Sequence, residues 1–314
     1  MSDLHVVFGT GATGTWTARY LAEAGHRARV VNRSGSRGDL LPASVEVVAV
    51  ADASDPDAAA RVAEGAAVVY QCLNPPYERW AELFPPLQRG VIAAAQRTGA
   101  RYVSLENLYP LGRVSGPMTE ETPIQPCARK GEVRAAMTEE LRALSDAGEL
   151  EVARGRASDY YGPGAPNSAL GAMVFEPLLA GKRVSLVGSA DVVHSYAYIE
   201  DIGRGLAALG THDSAFGRVW NLPHAIALTG RATLAPAFAA AGVPEKIGEI
   251  GPLKMRLAAP FLPAARESLE MLYEFTEPFV VDSSAIEREF GLSPTPIPEG
   301  MRRTVEWYRG RTAT

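Results

Sequence analysis

The stretch "VVFGTGATGTWTARYL", residues 6–21, decides the architecture. It sets Gly9, Gly11 and Gly14 between a short apolar strand and a helix. Glycines at such a turn let the backbone come close to a pyrophosphate, and the helix N-terminus adds unpaired N–H groups and a favourable dipole. A tight turn without any ligand is the alternative. The strand before, the helix after and the βαβ pattern beyond all favour a dinucleotide. Gly9, Thr10, Gly11, Ala12, Thr13 and Gly14 are therefore candidate cofactor contacts.

Working outward, apolar β-like runs alternate with helical periods. "LHVVFG", "RARVVN" (27–32), "VEVVAVAD" (45–52), "AAVVYQCL" (66–73), "RYVSL" (101–105) and "LEVARGRAS" (150–158) read as strands. A helix is predicted over roughly residues 78–98, with Pro85 and Pro86 expected to break or bend its early part. Short, doubly apolar strands alternating with helices predict an α/β fold, a doubly wound parallel sheet covered on both faces. Beyond "YYGPGAP" Gly and Pro punctuate the chain, and residues 229–314 read as helices with few strands. We expect a dinucleotide-binding domain over 1–160, with 194–223 returning to it, and a smaller, mainly helical substrate lobe over 161–314.

The end of the second strand bears on the choice of cofactor. A carboxylate there would hold an adenosine 2′-hydroxyl. The sequence instead reads "VVNRSGSR", so Asn32, Arg33, Ser34 and Arg37 are candidate contacts, and guanidinium groups suit a 2′-phosphate. NADP is thus expected over NAD, unless these arginines are simply solvated. Asp52 and Ala53, ending the third strand, are expected beside the adenine.

Composition bounds the rest. The 314 residues are 46% hydrophobic and 21% charged, with a formal net charge of −5, which argues against nucleic acid or an anionic membrane as partner. Cys72 and Cys127 are the only cysteines, without zinc-ligand spacing, and no metal is expected. The first strand leaves no room for a signal peptide, and no apolar run approaches a membrane span, so a cytoplasmic protein is expected.

"PCARKGEVRAAMTEEL", residues 126–141, carries an anomaly. In a helix starting near Ala128, Lys130, Val133, Arg134, Met137, Leu141 and Leu144 share one face within about 60°. Two cations thus fall on an apolar stripe. They either serve a site or snorkel to water.

"TGATG" (10–14), "AD" (51–52), "RASDYYGPG" (156–164), "YIED" (198–201), "VWNLP" (219–223) and the closing "DSSAIEREFGLSPTPIPEGMRRTVEWYRG" recur in one order. Together they resemble an extended short-chain dehydrogenase/reductase of the NAD-dependent epimerase/dehydratase type. The resemblance spans essentially the whole chain. It implies a Rossmann-like NAD(P)-binding domain, a lobe closing over a small-molecule substrate, and a homodimer as one assembly to expect. The family's GxxGxxG maps onto Gly11, Gly14 and Thr17, so the third glycine is replaced.

The larger departure is catalytic. The family's Tyr-x-x-x-Lys pair is absent, and Lys130 and Arg134 fall on its two positions. Its Ser/Thr position falls on Asn107 if Leu111–Gly112 takes the "YG" place, or on Leu105 in a shifted alignment. The resemblance thus suggests Lys130 as proton donor or electrostatic stabiliser, Arg134 on the nicotinamide ribose and Asn107 on the substrate oxygen. Tyr109, beyond the fifth strand, is a reserve proton donor. Leu73 and Asn74 would border the cofactor, and Tyr77, Trp80, Tyr160, Tyr161 and His194 the substrate. The expected activity is NADP(H)-dependent hydride transfer to or from a small carbonyl, alcohol or activated double bond. A non-catalytic NADP sensor is the alternative, and a nucleotide-sugar epimerase or dehydratase is less favoured without the Tyr/Lys base.

Overall fold

The computed structural model describes residues 3–261 and 263–312. The first half builds β1 (Leu4–Phe8), α1 (Ala12–Glu23), β2 (Arg27–Asn32), β3 (Glu46–Ala49), α2 (Pro56–Val62), β4 (Ala66–Gln71), α3 (Trp80–Thr98), β5 (Arg101–Glu106), α4 (Arg129–Asp146) and β6 (Val152–Arg156). There follow β7 (Tyr160–Tyr161), α5 (Ala172–Leu179), β8 (Val184–Val187), β9 (Val193–His194), β10 (Ala197–Tyr198), α6 (Ile199–Thr211) and β11 (Val219–Asn221). The chain ends with β12 (Leu228–Thr229), α7 (Gly230–Ala241), β13 (Ile247–Ile250), α8 (Pro252–Ala258), α9 (Pro263–Ser268), a 3₁₀ segment Leu269–Phe275, α10 (Ser284–Phe290) and α11 (Ile297–Thr312).

Seven strands form one parallel sheet in the order β11-β6-β5-β4-β1-β2-β3. The strands alternate between two cores, as a period of two requires. Val7, Val30, Val68 and Val103 face α1 and α6, where Trp16, Leu21, Ile202 and Leu206 are buried. Val6, Phe8, Val31, Val69 and Tyr102 face the other way, against Ala59, Val91, Ile92, Ala95 and Leu141. The strand order turns back between β1 and β4. Open α/β sheets bind ligands at the carboxyl ends of the strands flanking such a switch.

Pro85 and Pro86 do not interrupt α3, which runs unbroken through both. Each proline leaves the carbonyl four residues earlier without its donor. Those carbonyls belong to Ala81 and Glu82, both exposed, so solvent can take the place of the missing N–H.

The remaining elements sit at the carboxyl edge of the sheet. α5, α7 and α11 pack around Tyr161, Phe175, Leu234 and Met301. Two-stranded ribbons β7–β10, β8–β13 and β9–β12 stitch this part together. The 3₁₀ segment Leu269–Phe275 reaches back to the sheet edge and places Glu270 and Glu274 beside α4 and the strand ends. Among the described residues no helix is long and apolar enough to cross a membrane.

Candidate active site

The glycine turn is shaped by close backbone approach. Gly9 has φ +106°, and a Cβ there would lie 2.7 Å from the carbonyl oxygen of Cys72. A Cβ on Gly14 would lie 2.1 Å from the carbonyl oxygen of Gly9. Gly11 caps α1 with no side-chain partner, so the first-turn N–H groups stay open to an anion. Thr17, in place of a third glycine, is fully buried, and its hydroxyl donates to the Thr13 carbonyl at 2.8 Å. Below the turn, burial pushes the Cys72 thiol up to about 12, so it is no thiolate nucleophile.

Asn32 ties this turn to the loop after β2. Its amide donates to the Thr10 hydroxyl at 3.1 Å and the Ser36 carbonyl at 2.8 Å, and its carbonyl accepts from the backbone N–H groups of Ser34 and Gly35. The two predicted arginines divide. Arg33 is exposed, with no hydrogen bond or ion pair among the described residues. Arg37 instead braces its own loop, donating to the carbonyls of Pro42 at 2.7 Å and Val45 at 2.6 Å. Asp52 accepts from the N–H and hydroxyl of Ser54, which hold its carboxyl below the usual carboxylate range. Ala53 is buried against α3.

A cavity of about 240 Å³ opens at the carboxyl ends of β4, β5 and β6. Thr13, Leu73, Asn74, Tyr77, Trp80, Asn107, Tyr109, Arg134 and Tyr160 all line it, so these nine predicted residues converge. Tyr77, Trp80, Phe84 and Tyr109 make an aromatic wall, with Trp80 ring centroids 4.9 Å from Tyr77, 5.2 Å from Phe84 and 5.8 Å from Tyr109. The phenol oxygens of Tyr77 and Tyr109 are 3.4 Å apart. Burial pushes both phenols well above the ordinary tyrosine range, and the Glu274 carboxyl adds to the effect.

Along the stripe on α4, Lys130, Arg134, Met137 and Leu141 are buried and Val133 and Leu144 half-buried, but its two cations have different surroundings. Lys130 and Arg134 are each 5% exposed, so neither head snorkels to water. Lys130, expected as proton donor, is not among the residues that line the cavity. Its ammonium donates to Glu267 Oε2 and Glu270 Oε1, each at 2.8 Å, and to the Glu267 carbonyl at 3.2 Å, and lies 4.4 Å from the Tyr77 ring centre. Arg134 does face the cavity, donating to the Leu105 carbonyl at 3.0 Å with its guanidinium 4.5 Å above the Phe84 ring. Desolvation lowers its pKa, and the buried Glu106 carboxylate opposes that shift. Glu106 itself pairs with buried Arg156 at 3.6 Å.

Two further expectations need correction. Tyr161 is 1% exposed and packs 5.4 Å from the Tyr198 ring, in the core rather than the cavity. His194 lies behind the cavity lining, between Phe275 and Phe279, with ring centres 5.1 and 5.0 Å away. Its Nδ1 is 2.9 Å from the Glu274 carbonyl and its Nε2 is 3.2 Å from Asp159 Oδ2.

The sequence reading missed Glu106, Asp159, Glu274 and Phe279, all of which line the cavity. Glu274 is 1% exposed, and among the described residues neither carboxyl oxygen has a hydrogen-bond partner. Desolvation, then the nearby Asp159, raises its carboxyl well above the usual range. Asp159 stood inside the quoted "RASDYYGPG" and carried a signal. Glu274, in a loosely patterned segment, carried none. Among the described residues no group of three or more His, Cys, Asp or Glu is placed to hold a metal ion.

A model of the NAD-dependent epimerase/dehydratase family matches residues 6–222. The chain is 27% identical over 223 residues to a dTDP-glucose 4,6-dehydratase of Streptomyces griseus, the match covering 69% of this chain and 62% of that protein, under two thirds of its length. It is similar in structure to an epimerase of Methanothermobacter thermautotrophicus (TM-score 0.81, 18% identity, 99% and 94% of the two chains covered). A UDP-glucose 4-epimerase of Thermotoga maritima, solved with UDP-glucose, is equally similar (TM-score 0.81, 17% identity, 98% and 99% covered). At these identities the two structures share the fold.

Proposed function

The chain belongs to the NAD-dependent epimerase/dehydratase family, and from that premise we propose that it is an NADP(H)-dependent reductase of a small organic carbonyl or activated double bond. The observation that carries this reading is the Tyr109 phenol, half-buried in the cavity lining where the family's Tyr/Lys pair is missing. The open first-turn N–H groups of α1 and the backbone of Gly9–Gly14 suit a pyrophosphate, and Arg134 suits the ribose next to the nicotinamide. Bound there, the cofactor supplies hydride chemistry.

The residues of the chain then handle one proton. An alkoxide or enolate formed from the substrate is a far stronger base than phenolate, so Tyr109 gives up its proton readily even with a raised pKa. The reverse role needs an ionised phenol, which burial and Glu274 disfavour. The site therefore favours reduction. This also weighs against nucleotide-sugar epimerisation, which must begin by oxidising the sugar. Asn107, whose side-chain carbonyl oxygen is buried without a partner, is placed to orient the substrate. The test is NADPH consumption against a panel of ketones, aldehydes and enones. Tight NADPH binding without turnover on any of them would favour a sensor instead.

Arg33 carries the choice of NADP. Its free guanidinium at the end of β2, with no carboxylate beside Asn32, suits the 2′-phosphate. Arg33→Ala is expected to weaken NADP about tenfold and leave NAD within about twofold, because one exposed charge-assisted contact is worth about 1–1.5 kcal/mol. Titration of both cofactors by fluorescence checks this. Equal loss for the two would remove Arg33 from phosphate recognition.

A further inference from the structure

One wall of the cavity carries two acidic side chains that no lysine or arginine among the described residues pairs with. Glu274 and Asp159 both line it, and among the described residues neither is paired with a lysine or arginine. Glu274 has both carboxyl oxygens buried and without a hydrogen bond among the described residues. Asp159 has only the His194 ring at 3.2 Å. Burial keeps an unpaired Glu274 carboxyl in its neutral form, and an ammonium group seated against it would offset the cost of ionising it. Tyr77, Tyr109 and Phe279 stand around the same wall, and aromatic faces favour alkylammonium groups over anions. The lining includes one guanidinium, but Arg134 sits beside Glu106 and is engaged with the Leu105 carbonyl.

We propose that Glu274 and Asp159 form a subsite for a protonated amine or iminium carried by the substrate. The proposal rests on the reading of this cavity as the substrate site and narrows the carbonyl compounds to basic ones. Glu274 would hold the cation by charge and hydrogen bond, Asp159 would reinforce it, and His194 would hold the Asp159 carboxyl and the Glu274 backbone carbonyl from behind. A carboxylate or phosphate on the substrate would meet repulsion at this wall.

Binding tests this independently of turnover. Isothermal titration of the full chain, with and without NADP, uses three probes of one shape: 2-phenylethylamine, 2-phenylethanol and phenylacetate. The amine is expected to bind about tenfold or more tightly than the alcohol, and phenylacetate more weakly than either. Glu274→Gln should bring amine and alcohol within about threefold of each other, with NADP affinity unchanged. An alcohol that matches the amine in the wild type overturns the proposal, as does the absence of amine binding. A preference that survives in both Glu274→Gln and Asp159→Asn overturns it too. Should Glu274→Gln not fold, Asp159→Asn and the wild-type ratio still decide. Amine selectivity without carbonyl reduction would sink the reductase reading alone, and reduction without selectivity would sink the subsite alone.

Discussion

Tyr109→Phe is expected to lower turnover about 10²–10⁴-fold, the usual worth of a positioned general acid, or ~3–5 kcal/mol of barrier. NADPH oxidation at saturating carbonyl substrate measures it, and NADPH affinity should stay within about twofold of wild type. The substitution is clean because, among the described residues, the one hydrogen bond to the Tyr109 hydroxyl comes from Tyr77, 3.4 Å away, and a phenylalanine keeps the ring beside Trp80. Tyr77 is the natural substitute donor, so the double Tyr77→Phe/Tyr109→Phe variant should fall further than either single one. The pH profile gives a second handle. Because burial raises the Tyr109 phenol, the acid form persists as pH climbs, and the reduction rate should show no phenol ionisation up to the ordinary tyrosine value of about 10. Should Tyr109→Phe keep turnover within threefold while Tyr77→Phe loses it, the donor is Tyr77. If neither loses it, the proton comes from elsewhere and the reductase mechanism proposed for this cavity falls.

What the residues revealed in advance follows their periodicity and their backbone demands. The glycine turn was legible because its function needs missing side chains, and Gly9 and Gly14 leave no space for one. The parallel sheet was legible because strands buried on both faces must be largely apolar, as the fully buried β1 is apart from His5, whose ring meets the Tyr70 hydroxyl at 2.8 Å. The stripe on α4 was legible for the same reason, down to its two cations. Their partners were not. Glu267 and Glu270 lie more than 130 residues later in the chain, and nothing in the local pattern around Lys130 distinguishes two carboxylates from a nicotinamide as the reason for its burial. The resemblance gave Lys130 a catalytic address by position, while the geometry gave it a structural one by charge. Arg37 misled in a similar way, since the loop carbonyls it braces become acceptors only once residues 37–45 have folded back. Glu274 shows the complementary gap: it is an ordinary acid in its own segment, and only the assembled cavity leaves it without a partner among the described residues.

That reassignment makes Lys130→Met a prediction about stability. The ammonium bridges Glu267 and Glu270, so it joins α4 to α9 and the 3₁₀ segment that frames the cavity. Removing one partner of a buried ion pair costs about 3–5 kcal/mol when the remaining charge stays dry. Here the two carboxylates retain 24% and 28% of their side-chain exposure and can rehydrate, so the expected loss is about 2 kcal/mol. Methionine keeps an apolar stem of similar length, which confines the change to the charge and its contact with the Tyr77 ring. Urea unfolding at neutral pH measures it, and the difference should shrink in acid. Lys130 holds the Glu267 carboxyl below its ordinary value of 4.5, so this part of the stability is complete above that value and is lost as pH falls through the lower folded one. Per folded molecule, turnover should stay within about threefold of wild type, because the ammonium faces carboxylates rather than the cavity. A variant that melts like the wild type but has lost turnover by orders of magnitude would return Lys130 to the reacting groups and make the pair with Glu267 and Glu270 a resting arrangement that the substrate displaces.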